Sequence, residues 1–74
     1  MVHRIRRFGI GDRIALPDEF GNVIWTGNVL SEGSDDFGEY KIVKVKWSRD
    51  MDEQGKTRKL HAEQFNMIKR FTWD

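Results

Sequence analysis

Along residues 40–47 apolar and polar side chains alternate. Val43, Val45 and Trp47 fall on one face of an extended chain, and Ile42, Lys44 and Lys46 on the other. Period-two patterning with β-branched and aromatic residues predicts a half-buried strand in an antiparallel sheet. Val45 and Trp47 are accordingly expected in the core. Residues 12–16 read as a short first strand with Ile14 and Leu16 inward. Pro17 ends it, because proline has no N–H to give to a ladder. Residues 23–30 read as a second strand with Val23, Trp25 and Val29 on one face. Gly27 falls on that face too and is expected to mark a bulge or bend. Residues 57–60 make a fourth strand, and residues 66–70 a fifth that carries Ile68. Between them, residues 61–65 are too few for an independent helix and suit one helical turn. Polar, turn-rich stretches at 17–22, 31–39 and 48–56 read as loops. No internal repeat or low-complexity linker is visible. Five short strands, one bend and a helical turn before the last strand predict an all-β domain. Closure or near-closure into a barrel is expected, since it removes the sheet edges that endanger a small β domain.

With 74 residues the chain is one domain. A basic arm (residues 1–7), a barrel (8–70) and an aromatic tail (71–74) are its expected parts. It has no cysteine, so neither a disulfide framework nor a thiolate metal site is available. No apolar run approaches the length of a membrane span or a signal-peptide core. The cytoplasm is the expected compartment, with no membrane partner. The formal net charge is only +1, which argues against a uniformly basic molecule, but the charges are blocked along the chain. Residues 17–39 hold six acids and no Lys or Arg, whereas residues 40–47 hold three lysines and no acid. Such blocks can give one small body oppositely charged faces.

The candidate chemistry is sparse. His61 lies inside the domain without a nucleophile in a recognisable motif, and is expected to open the helical turn. Residues 50–55 imitate the first half of a calcium loop, but its twelfth position, which should be a bidentate Glu, is His61. Gly9-Ile10-Gly11 is too short for a phosphate-binding fingerprint. No catalytic residue, no cofactor and no metal site is therefore assigned. Ser34, Asp35, Asp36 and Glu39 form an acidic loop, either solvated or docking a basic partner. Trp25 and Trp47 read as core residues; the alternative is an aromatic pocket in which Trp25, Phe37 and Tyr40 surround a ligand.

Gly11-Asp12-Arg13-Ile14, Trp25-Thr26-Gly27-Asn28-Val29, the run from Tyr40 to Trp47, and Leu60 with Phe65 and Ile68 together resemble the SH3-like small barrels, the group that includes Tudor and KOW domains. The resemblance covers residues 8–70 and implies a five-stranded SH3-like barrel with a short helical turn before the last strand. It implies no single role, since this architecture hosts many. Plasmid-type dihydrofolate reductase, a tetramer of such chains, is similar at the opening strand and the Trp-x-Gly strand. That family works through Val-Gln-Ile-Tyr in its fourth strand. Thr57-Arg58-Lys59-Leu60 stands there in this chain, so its activity is not carried over. Barrel subunits of photosynthetic complexes are similar in outline only.

A non-enzymatic binding module is the expectation. Strand alternation predicts an outer sheet face holding Ile24, Ile42, Lys44, Lys46 and Lys59. An amphipathic patch of that kind suits an acidic protein partner, with the lysines steering encounter and the isoleucines supplying apolar contact. The alternative is nucleic acid, held by Arg4, Arg6 and Arg7 of the arm with Lys44, Lys46 and Lys59. Phe71 and Trp73 are expected to pack on the barrel or on a second copy of it.

Overall fold

The computed structural model describes residues 8–71. Its five strands are β1 (Arg13–Pro17), β2 (Val23–Asp35), β3 (Gly38–Ser48), β4 (Thr57–His61) and β5 (Lys69–Arg70). All ladders are antiparallel, in the order β4-β3-β2-β1-β5. A 3₁₀ turn, Met51–Glu53, lies between β3 and β4, and a four-residue helix, α1 (Ala62–Phe65), between β4 and β5. Asp50, the first residue of the stretch that imitates half a calcium loop, caps the 3₁₀ turn by accepting the Asp52 N–H at 3.0 Å. No described helix is long and apolar enough to cross a membrane.

The all-β expectation holds, but the sheet does not close. β4 and β5 stand at its two edges, and β5 adds only the pairs Ile14–Arg70 and Ala15–Lys69. The core lies on the inner face. Phe8, Ile14, Trp25, Val29, Val43, Val45, Leu60, Phe65 and Ile68 form one buried cluster. α1 contributes Phe65 to it, and its start is fixed by the His61 N–H donating to Gln64 Oε1 at 2.9 Å.

Residues 31–39 are hairpin rather than loop. β2 and β3 pair continuously to Asp35–Gly38, leaving only Asp36 and Phe37 as the turn. The Gly33 that reads as a loop former is needed in the strand. The Tyr40 ring lies over it, and a Cβ there would sit 2.5 Å from the phenol oxygen. Glycine in a strand often marks such a close approach.

Three register shifts decide which side chains reach which face. Between Thr26 and Gly27 the pairing steps from Trp47 to Val45, so Lys46 is an extra residue. A bulge of this kind resets the alternation. Val43 and Val45 are fully buried as expected, but Trp47 is 45 % exposed and Ser48 takes the inward position. The expectation of a core Trp47 is thereby corrected. Gly27 marks the bulge as expected, and a Cβ there would clash with the Lys44 carbonyl oxygen. The second shift leaves Leu30 as the extra residue and sets Glu32 opposite Lys41. The Lys41 stem is buried, with its ammonium on the Glu32 carboxylate. The third shift, between Leu16 and Pro17, skips Ile24. Ile24 packs against the core cluster instead of standing on the outer face, which corrects its expected place.

Candidate functional site

The strand registers assemble the outer face row by row. One row runs Arg13, Asn28, Lys44, Thr57 across β1 to β4. A second runs Ser31, Ile42, Lys59, and a third Ala15, Thr26, Trp47. Four of the five residues expected to share a patch are therefore on this face, while Ile24 is not. Ile42 is half-buried between its neighbours. Lys44 and Lys46 are exposed, and among the described residues neither makes an ion pair. Lys46, pushed out by the bulge, edges a hollow of about 180 Å³ that it lines with Arg13, Thr26, Gly27, Asn28 and Phe71. Phe71 is half-buried and donates its N–H to the Arg13 carbonyl at 3.0 Å. Arg4, Arg6, Arg7 and Trp73 lie outside the described residues.

Lys59 has a different role. Its ammonium is 2.7 Å from Asp35 Oδ2 and 4.2 Å from the centre of the Tyr40 ring. Its charge is thus engaged inside the protein. The same Asp35 carboxylate faces His61 Nε2 at 2.9 and 3.0 Å and accepts the Phe37 N–H at 2.9 Å. The hydrogen bond from Lys59, helped by those from His61 and Phe37 and opposed by partial burial, holds the Asp35 carboxyl well below the usual carboxylate range. Asp35 in turn pushes the Lys59 ammonium up. The His61 ring lies edge-on between Phe37 and Tyr40, with centroids 6.0 and 5.9 Å away.

Sequence reasoning missed this network. Lys59 and His61, two apart on β4, already had to share a face, and Tyr40 stands opposite His61. The obstacle was Asp35, assigned to a loop instead of to the outward face of β2. His61 does open the helical turn. The aromatic grouping of Trp25, Phe37 and Tyr40 does not assemble. Trp25 is in the core, and His61 takes its place beside the other two. No family model, curated protein or solved structure matches the chain.

Proposed function

We propose that the chain is a small, non-catalytic SH3-like module that binds single-stranded nucleic acid on its outer sheet face. The antiparallel meander, the bulged second strand and the helical turn before β5 support the SH3-like reading. One observation carries the functional one. The bulge at Lys46 sets an exposed Trp47 on the face that carries Lys44 and Lys46, neither of them paired with an acid among the described residues. Lysines in such a place track phosphates, and an exposed indole offers a base a surface to stack on. Asn28 and Thr26 stand opposite Lys44 and Trp47 on the neighbouring strand, with amide and hydroxyl groups to offer. The basic arm with Arg4, Arg6 and Arg7 adds three further cations to the chain.

The second reading is an acidic protein partner on the same face. Ile42 and Trp47 favour it, as does the low net charge. It ranks lower than it did from the sequence because Ile24 has turned into the core, leaving the patch less apolar. Fluorescence anisotropy of a labelled single-stranded oligonucleotide, titrated at several salt concentrations, separates the two. If Lys44 and Lys46 each neutralise one phosphate, log K should fall with log salt at a slope of about −1.4 or steeper. A flat salt response, or capture of an acidic peptide but no oligonucleotide, would move the protein reading to first place.

A further inference from the structure

Two four-residue turns of like composition, too short to count as a repeat, stand at the two ends of β2. Asp18-Glu19-Phe20-Gly21 precedes the strand, and Asp35-Asp36-Phe37-Gly38 closes its far end, with Asp35–Gly38 the last pair of the hairpin. The two turns share three features. In each, the leading Asp Oδ1 accepts the phenylalanine N–H at 2.9 Å. In each, the glycine has positive φ, +87° at Gly21 and +111° at Gly38. In each, a cation from a neighbouring segment holds the leading carboxylate, Arg49 at 3.2 Å on Asp18 and Lys59 at 2.7 Å on Asp35. The second acid, Glu19 or Asp36, is exposed and has no ion pair among the described residues.

Turn formation accounts for the Asp and the Gly, because a side-chain carboxylate closes the turn and glycine tolerates the left-handed backbone. It does not account for the phenylalanine. Phe20 is 82 % exposed and Phe37 84 % exposed. Each ring is presented on a pinned turn beside a free carboxylate. Phe37 is steadied further by the edge of His61. An exposed aromatic on a pinned backbone has less freedom to lose when it docks than one on a loose loop, which suits an interface anchor.

The same chain offers a matching receptor. The hollow of about 180 Å³ on the outer face is lined by Phe71, Lys46 and Arg13, among others. We propose that the acidic phenylalanine turns dock into this hollow on a second copy of the chain. The ring would enter beside Phe71, and the carboxylate of Asp36 or Glu19 would meet the Lys46 ammonium. Turn and hollow are different surfaces, so the contact is heterologous and builds open chains of molecules instead of closed dimers. The inference does not need the nucleic-acid reading, although a bound strand would compete for Lys46.

Complementation between two variants tests it. Phe20→Ala with Phe37→Ala removes both anchors and keeps the hollow. Lys46→Glu spoils the hollow and keeps the anchors. All these side chains are exposed, so both variants should melt like the wild type. In sedimentation velocity from micromolar to millimolar protein, the wild type should grow with concentration, and more so at low salt. Each variant alone should stay monomeric, and a mixture of the two should form a complex of one Lys46→Glu molecule with one or two double phenylalanine molecules, one per turn. A wild type that stays monomeric at millimolar concentration would overturn the proposal. So would a double phenylalanine variant that self-associates like the wild type, or a mixture that stays monomeric while the wild type associates. Binding of an oligonucleotide by the double phenylalanine variant should be unchanged, so this failure is distinct from failure of the functional reading.

Discussion

Replacing the two described tryptophans separately, Trp25→Ala and Trp47→Ala, tests the bulge that determines the outer face. Trp25 is 5 % exposed and sits among Ile14, Val29, Val45 and Ile68 in the core cluster. Truncating it should leave a cavity and cost about 3–5 kcal/mol. Trp47 is 45 % exposed. Full burial of a large apolar side chain contributes roughly 1.5–3 kcal/mol, so losing about half of that costs about 1 kcal/mol. Solvent fills the space it leaves, and no closed cavity adds to the cost. Domains of this size have a total stability of about 4–11 kcal/mol at typical per-residue values. Trp25→Ala should therefore come close to unfolding the chain, whereas Trp47→Ala should lower Tm by only about 4–8 °C. Far-UV circular dichroism melts, supported by calorimetry, read both without depending on tryptophan emission. Equal destabilisation by the two substitutions would refute the reasoning, because it would return Trp47 to the core and remove the bulge at Lys46.

Other outcomes follow from single contacts. Gly27→Ala should cost roughly 1–3 kcal/mol in urea unfolding, since its Cβ meets the Lys44 carbonyl, a backbone atom that can yield only by moving the strand; an unchanged midpoint would mean that β2 and β3 do not approach closely there. Acid should loosen both turns. Lys59 first, with His61 and the Phe37 N–H, lowers the Asp35 carboxyl; burial opposes the shift at Asp18, where the Asn22 and Phe20 N–H groups and Arg49 outweigh it. A depressed folded value means stability that is present above an unfolded carboxylate value of about 4 and is lost as pH falls through the folded value. Tm of the wild type should therefore fall below about pH 4 more steeply than Tm of the Asp18→Asn, Asp35→Asn double variant, and parallel curves would contradict the assignment.

Much of the sheet was legible because period-two burial is a local signal. Ile14, Trp25, Val29, Val43 and Val45 all point where alternation puts them. The misplacements share one cause. Trp47 and Ile24 lie at register shifts, where an extra residue breaks the alternation locally. Gly27 did signal the first of these, but glycine marks a bulge without saying on which strand the extra residue falls. The hairpin at residues 31–39 was hidden for another reason. Ser, Gly and Asp there read as loop, yet Gly33 makes room for Tyr40 and Asp35 binds across to β4. Partnership of that kind depends on which strands become neighbours, and composition does not encode it. Closure was expected from the hazard of open edges, a general argument that does not fix the pairing of β4 with β5 in this chain.

Binding of nucleic-acid phosphate by Lys44 and Lys46, exposed beside Trp47, is the proposed function. Its most direct test is the Lys44→Glu, Lys46→Glu double variant, titrated with the labelled single-stranded oligonucleotide alongside the wild type. Both side chains are exposed and make no ion pair among the described residues, so melting should stay close to wild type. Binding at physiological salt should be lost, and any residual salt slope should be shallower by about 1.4. A folded double variant that binds the oligonucleotide as tightly as the wild type, with the same salt slope, would contradict the account.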